Sequence, residues 1–354
     1  MKLKTTDVIQ VDPRMPESAV IAHAADLLRR GELVVFPTET VYGLGADAMQ
    51  PAALEGIFLA KGRPLNDPLI VHITDDEMLA TLTSALPPVA WQLARAFWPG
   101  PLTLILPRGP RVPPIVTAGL ETVAVRMPAH PVARALIREL GSPVAAPSAN
   151  RFMHVSPTTA AHALADLRGR VPLILDGGPC GVGVESTILD LSTEPPTLLR
   201  PGGVSLEALR AVLPEIDLPA QREARTEEQA QKAPGQLGMH YAPAIPLLLF
   251  EGSEEAMRAA MLAEISTRSA RGERVGVLIS DSDVPVFQGD TLLVHSLGDA
   301  SQPAQLAANL FASLRALEEA QVQVILCRTF PVRELGLAVR DRLGRAAGGK
   351  VIHV

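Results

Sequence analysis

Residues 33–47, LVVFPTETVYGLGAD, constrain this chain more than any other stretch. Leu33 to Phe36 is a short apolar run bounded by Gly31 and Pro37, the pattern of a strand buried on both faces. Thr38, Glu39, Thr40 and Tyr42 follow at once, and Gly43 and Gly45 are expected to let the backbone turn tightly. Hydroxyls and a carboxylate released at the end of a buried strand point to an α/β sheet, because ligands of open α/β sheets sit beyond strand ends.

The flanking segments supply the rest of such a sheet. Over 17–30, Val20, Ile21, Ala24, Leu27 and Leu28 recur at helical spacing and Gly31 can end the helix. A second helix over 51–61 starts on Pro51 and delivers Lys61-Gly-Arg63 at its C-terminal end, after which Pro64 and Pro68 enforce a loop. Residues 69–73 read as a strand carrying His72. Residues 122–127 alternate, with Thr122, Ala124 and Arg126 on one face and Val123 and Val125 on the other. A further apolar strand at 143–146 runs into Pro147-Ser148-Ala149-Asn150, Ser156 is placed to cap a helix, and strands at 173–175, 186–191 and 197–199 lead to Arg200. Strands and helices mix irregularly, so a mixed sheet is expected. Polar residues over 214–243 read as a linker, and the regular strand-helix alternation after it as a small doubly wound domain. The expected division is therefore 1–213, 214–243 and 244–354.

Composition removes several function classes. The net charge of −6 argues against nucleic-acid binding by bulk charge, and an aromatic content of 3% argues against base stacking. Two cysteines, Cys180 and Cys327, without a CxxC pair, argue against a disulfide framework or a zinc site. The first residues lack an apolar signal core and the longest apolar runs are too short to span a bilayer, so a cytoplasmic location with no membrane contact is expected. Two motifs are decoys. GLGADA at 43–48 matches a dinucleotide fingerprint, but Pro51 starts the helix too late. Gly344-xxxx-Gly349-Lys350 resembles a phosphate loop but has Val351 where a hydroxyl is needed.

The remaining polar residues suit the binding of anions. Lys61 and Arg63 in a Gly- and Pro-rich loop make a polyphosphate clamp, although cations near a helix C-terminus are also favoured by its dipole. Ser148 and Asn150 offer a hydroxyl and an amide after an apolar strand. Arg126, among valines, requires an anionic partner: Glu39, Glu185 or a substrate carboxylate. His72 reads more readily as a core histidine than as a catalyst. No GxSxG or HExxH signature is present, so positioning of phosphates fits better than covalent catalysis.

These residues together resemble the YrdC family. FPTETVYGLGADA, KGRPLNDPLIVHI, WPGPLTLIL, TVAVRMPAHP, APSAN, SPT, DGG, GVESTI and LLRPG stand in the family's order across roughly residues 10–212, and HYAP with a small C-terminal domain is similar to the family's long form. The resemblance implies a YrdC-like twisted mixed sheet with helices and a large concave cleft over 1–213, a linker or lid over 214–243 and a smaller Rossmann-like domain over 244–354. It implies an enzyme that joins L-threonine, bicarbonate and ATP into threonylcarbamoyl-AMP and pyrophosphate, towards the t6A modification of tRNA, and hands its product to a tRNA threonylcarbamoyltransferase. Carried over by position, Lys61, Arg63, Thr122, Ser148, Asn150, Ser156, Arg200 and Tyr241 would meet ATP, with Lys61, Arg63, Ser148 and Asn150 at the chemistry. Thr38, His72, Arg126, Ala146 and Ser186 would meet threonine, and His240 and Tyr241 would form a lid. Magnesium would be held by phosphates rather than by side chains, and direct tRNA binding would be weak. After Asn150 the chain departs from the family's small Ser-Gly pair with Arg151-Phe152-Met153-His154. An RNA-binding module and a carbamoyl-transfer domain of hydrogenase-maturation type are the rival readings.

Overall fold

The computed structural model describes residues 5–218, 230–235, 241–289 and 292–354. The chain divides into two compact units, one drawn from Met1–Phe152 and Ser156–Leu237, the other from Met153–Val155 and Gly238–Val354.

The first unit is built on ten strands: β1 (Asp7–Gln10), β2 (Val34–Phe36), β3 (Gly43–Asp47), β4 (Ile70–His72), β5 (Leu102–Pro107), β6 (Thr122–Arg126), β7 (Val144–Ala145), β8 (Leu173–Asp176), β9 (Thr187–Asp190) and β10 (Thr197–Arg200). They form one mixed sheet in the order β1-β8-β2-β3-β7-β4-β6-β5-β9-β10. The fold class read from the sequence is thus the one observed. The helices Ser18–Arg29 and Pro131–Leu140 bury Ile21, Leu28, Leu136 and Ile137 against Val34, Phe36 and Leu175. Burial of side chains of this size contributes roughly 1.5–3 kcal/mol each and holds one face of the sheet closed.

Gly43 and Gly45 do not make the tight turn expected of them; both lie inside β3. A Cβ on Gly45 would meet Phe36 Cε1 at 2.7 Å and Val144 Cγ1 at 3.0 Å, and one on Gly43 would meet Ala146 Cβ at 3.3 Å. The glycines are therefore a packing requirement: they let Phe36 lie flat across the strand. The same observation disposes of the dinucleotide motif, since no helix begins within it.

The second unit carries β11 (Leu247–Glu251), β12 (Val275–Ile279), β13 (Leu292–Ser296), β14 (Val324–Arg328) and β15 (Val351–His353). All pair in parallel, in the order β13-β12-β14-β11-β15. This is the Rossmann-like domain the alternation predicted; its β15 was not placed from the sequence, nor were β1 and β3 of the first unit. Gly344 lies within the helix Gly336–Ala347, and Gly348 ends it at φ 56°. The loop 153–155 belongs to this unit because Ala242 N donates to Met153 O at 3.0 Å and Arg315 Nη2 donates to Val155 O. Met153 stands at φ 70°, a left-handed conformation that glycine adopts without strain, in the stretch where the chain departs from the family's small pair.

Gly45→Ala is expected to cost about 1–3 kcal/mol of unfolding free energy through overpacking against Phe36. Phe36→Leu in the same chain should restore part of it; urea denaturation of the single and double variants checks the compensation.

Candidate active site

Strand register sets the site. His72 on β4 lies opposite Arg126 on β6, Arg126 opposite Thr103 on β5, Thr103 opposite Ile188 on β9, and Ile188 opposite Arg200 on β10. Directly opposed residues share a face, so His72, Arg126, Thr103 and Arg200 stand in one row across five strands, with the apolar Ile188 between the last two. The next row on that face is apolar, with Ile70, Ala124 and Ile105 packed together.

Arg200 is 3% exposed and donates to Ser186 O from Nε at 3.1 Å and from Nη2 at 2.9 Å, and to Ser186 Oγ at 3.1 Å. Ser186 Oγ also lies 2.8 Å from Thr103 Oγ1. Arg126 donates from Nε to Gly100 O at 3.2 Å and from Nη1 to Thr40 Oγ1 at 2.9 Å, and its Nη2 lies 2.6 Å from Glu39 Oε1. Thr40 in turn stands 2.8 Å from Thr38 Oγ1, whose hydroxyl turns the loop after β2 by donating to Val41 O at 2.7 Å. Of the two glutamates left open as partners for Arg126, Glu39 is the one in contact.

Lys61 closes the helix Pro51–Lys61, and Gly62 caps that helix at φ 66°, which turns Arg63 back. The buried ammonium of Lys61 donates to Ser148 O at 2.5 Å and to Asn150 O. Phe152 N donates to Lys61 O at 2.8 Å, so the loop 147–152 is wrapped around this lysine. Burial, and then the charge of Arg63, lowers the Lys61 amine well below its ordinary value. Arg63 is held by Asp67 O at 3.0 Å, by Pro68 O at 2.7 Å and by the Asp67 carboxylate at 2.9 Å. Burial raises the Asp67 carboxyl, against the pull of Arg63, Lys61 and Arg200. Ser156 Oγ donates to Glu185 Oε1 at 2.5 Å. Thr122, half-buried, starts β6 opposite Pro107, and Ala146 N donates to Ile70 O at 3.0 Å beside β4.

Twelve of the residues singled out from the sequence therefore lie in the first unit, around one sheet face and the loops at its strand ends. Tyr241 lies in the second unit, 1% exposed, its ring 5.7 Å from that of Phe311 and 4.9 Å from the Arg342 guanidinium carbon. His240 lies outside the described residues. Two features were missed. Thr103 was not singled out from the sequence, although a hydroxyl amid LTLIL is a visible signal. The segment 230–235 was read as linker, yet Ala233 is fully buried on the Ile70–Ile105–Ala124 patch and Pro234 O accepts from Arg200 Nη1 at 3.3 Å. Gln231 N donates to Asn66 O at 3.0 Å, and Lys232 Nζ lies 3.5 Å from the Asp190 carboxylate. Only Ala233 and Pro234 marked that burial, too few for a pattern.

His72 is 3% exposed, with its ring edge-on to Phe36, and its Nδ1 has no hydrogen-bond partner among the described residues. Burial, and then the charge of Arg126, lowers it from 6.5 to about 3, so the ring is neutral at physiological pH.

Residues 26–202 match the Sua5, YciO and YrdC family model described as telomere recombination, and residues 204–348 match the one described as threonylcarbamoyl-AMP synthase, C-terminal domain. A threonylcarbamoyl-AMP synthase of Bacillus subtilis (strain 168) is 47% identical over 354 residues, covering 100% of both chains. The chain belongs to the Sua5/YrdC family. A threonylcarbamoyl-AMP synthase of Pyrococcus abyssi is 44% identical over 99% of this chain and 100% of its own. The crystal structure of P. abyssi Sua5 complexed with L-threonine superposes with a TM-score of 0.91 at 43% identity, over 98% of this chain and 99% of that one. The YrdC resemblance read from the motifs, and the two-part architecture it implied, are those of the family.

The neutral His72 predicts a pH dependence. Between about 6.5 and about 3 the unfolded chain holds a proton on this ring that the folded chain does not, so stability falls as pH is lowered through that window. His72→Gln should make the unfolding free energy less steep there by up to about 1.4 kcal/mol per pH unit. Identical slopes in urea titrations at pH 6.5 and 4.5 would show that the buried ring is charged.

Proposed function

We infer that this chain is a threonylcarbamoyl-AMP synthase, an enzyme that condenses L-threonine, bicarbonate and ATP to threonylcarbamoyl-AMP and pyrophosphate, the first step of the t6A modification of tRNA position 37. The observation that carries the reading is a set of buried cations at one sheet face and the loops at its strand ends: Arg126 and Arg200 on the sheet, Lys61 within the loop 147–152, and Arg63 paired with Asp67. Two anions of different size can be held in line there. The full-length similarity to synthases supports the same conclusion.

The threonine amine and bicarbonate form a carbamate, whose oxygen attacks the α-phosphate of ATP while pyrophosphate leaves. Little covalent chemistry falls to the protein; it neutralises phosphate charge and aligns the reactants. In this reading Lys61, Arg63, Ser148 and Asn150 act at the phosphates, and Thr122, Ser156 and Arg200 complete the ATP site. Lys61 and Arg200 are met chiefly by backbone carbonyls, which orient a cation without cancelling its charge. Thr38, His72, Arg126, the backbone at Ala146, and Ser186 receive threonine, whose carboxylate finds a fork-shaped partner in Arg126. Among the described residues no group of three His, Cys, Asp or Glu side chains could hold a metal ion. Cations and hydroxyls instead fit phosphates that carry their own magnesium, whose role when bound is to offset phosphate charge.

The linker over 214–243, with His240 and Tyr241, acts as the gate in this reading, between a catalytic domain at 1–213 and a companion domain at 244–354. The hold of segment 230–235 on Arg200 supports it, because the guanidinium assigned to ATP is the one that binds Pro234 O. The product passes to a tRNA threonylcarbamoyltransferase. No helix among the described residues is long and apolar enough to cross a membrane, and work in the cytoplasm accords with that.

The deciding experiment is pyrophosphate release from ATP with magnesium and bicarbonate, with and without L-threonine. Release that requires both threonine and bicarbonate is expected. None from folded protein would overturn the assignment in favour of an RNA-binding module, to be read by a salt titration of tRNA affinity. Lys61→Met should lower kcat/KM by about 10²–10³ with the far-ultraviolet circular dichroism unchanged. Arg63→Ala is a poorer probe, since stranding the buried Asp67 should cost about 3–5 kcal/mol of stability.

A further inference from the structure

Glu39 has no role in the assignments above beyond its contact with Arg126, and its surroundings are unusual. Its side chain is 16% exposed, yet both carboxylate oxygens are buried and neither accepts a hydrogen bond among the described residues. Oε1 lies 2.6 Å from Arg126 Nη2, but that nitrogen also lacks hydrogen-bond geometry to any acceptor. The pair is thus held by charge alone, while Nε and Nη1 of the same guanidinium are bonded to Gly100 O and Thr40 Oγ1. A buried ion pair kept for stability is normally saturated by further hydrogen bonds, because desolvating two ions is costly. Arg63 and Asp67 resemble this pair on the carboxylate side, where neither Asp67 oxygen accepts a hydrogen bond among the described residues, but differ at the guanidinium: Arg63 Nη2 donates to Pro68 O at 2.7 Å, whereas Arg126 Nη2 has no acceptor besides the Glu39 charge.

The Glu39 backbone is fixed independently of the side chain. Val182 N donates to Glu39 O at 2.8 Å, and Thr38 Oγ1 caps the turn through the N–H groups of Thr40 and Val41, at 3.2 Å each. The carboxylate is therefore delivered to Arg126 from a rigid loop. The result is a cation and an anion side by side, each with unused bonding capacity, next to the unpartnered Nδ1 of His72.

A free amino acid carries the complementary pair, with an α-carboxylate and an α-ammonium on one carbon. We propose that Glu39 is the ammonium-recognition residue of the amino-acid site: the incoming zwitterion exchanges partners with the ion pair, its carboxylate taking Arg126 and its ammonium taking Glu39. The exchange keeps the number of buried charges of each sign balanced, so the substrate is admitted without leaving an isolated ion. It also selects chemically, since a hydroxy acid of the same shape supplies the carboxylate but leaves Glu39 unmatched. This inference rests on the reading of the site as a threonine site and adds to it the residue that recognises the amine.

The test is calorimetric binding of L-threonine and of 3-hydroxybutyrate, the same molecule without its amine, to the unaltered protein and to Glu39→Gln. The unaltered protein should prefer threonine strongly. In Glu39→Gln threonine affinity should fall roughly tenfold to hundredfold, while 3-hydroxybutyrate binds as well or better because Arg126 is released. A role in the fold alone would weaken both ligands in parallel, and that outcome, or unchanged threonine binding, would overturn the proposal. Should Glu39→Gln fail to fold with Arg126 left unpaired, Glu39→Asp keeps the charge but withdraws it. That variant should lose threonine affinity selectively, and equal losses for both ligands would again refute the assignment. If the folded, unaltered protein binds no threonine at all, the threonine site itself is wrong; threonine binding insensitive to Glu39 refutes only the role proposed for that residue.

Discussion

Positive charge buried in an apolar sheet governs this molecule. Arg126, Arg200, Lys61 and Arg63 are each under 10% exposed, and an ionised side chain in such a place must be met by acceptors. The chain meets much of this demand with backbone carbonyls, from Gly100, Ser186, Ser148, Asn150, Asp67 and Pro68. Carbonyl dipoles fix the direction of a cation and leave its charge available to an anion. The loops that carry these carbonyls consequently have little freedom. The loop 147–152 is wound on Lys61, and the loop after β2 is wound on Thr38 and Thr40 next to Arg126.

The topology makes that arrangement possible. β7, two residues long, sits between β3 and β4, and β9 sits beside β5, so residues far apart in sequence become neighbours in one row. On the face toward Phe36, β3 carries glycines at positions 43 and 45. Gly43 and Gly45, with Ala146 beside them, leave the space that Phe36 fills, and Phe36 in turn stands edge-on to His72. Packing on the closed side of the sheet and polar chemistry at the site thus share a residue.

The second unit solves a similar problem with carboxylates. Arg328, 1% exposed at the end of β14, donates to the buried Asp283 at 2.7 Å and to Ser280 at 2.9 Å, and Asp283 also accepts from Arg258 at 2.6 Å. Here the charges cancel locally, which suits structural closure at the strand ends. In the first unit Arg63 and Arg126 also meet carboxylates, Asp67 and Glu39, but Lys61 and Arg200 are held by carbonyls that leave their field to a ligand.

Much of this was legible in the residues. The apolar run before Thr38, the alternation from Thr122 to Arg126 and the loop from Lys61 to Arg63 each depend on local periodicity and punctuation, and each appears where the pattern put it. The ordered motifs carried the family, because many short matches in one order are jointly specific. Other features were decided by contacts between distant segments. Gly43 and Gly45 looked like turn residues until Phe36 and Val144 were seen to need the space. Glu39 and Glu185 were equal candidates beside Arg126 until the loop after β2 brought Glu39 to it. Ala233 looked like linker until Ile70, Ile105 and Ala124 formed a floor beneath it. The sequence by itself determined the elements, the family and the inventory of charges, since those depend on residues near one another in the chain. Only the tertiary structure decided which charges face each other and which oxygens lack a bond, because burial and pairing belong to strand order and register, which local pattern does not contain.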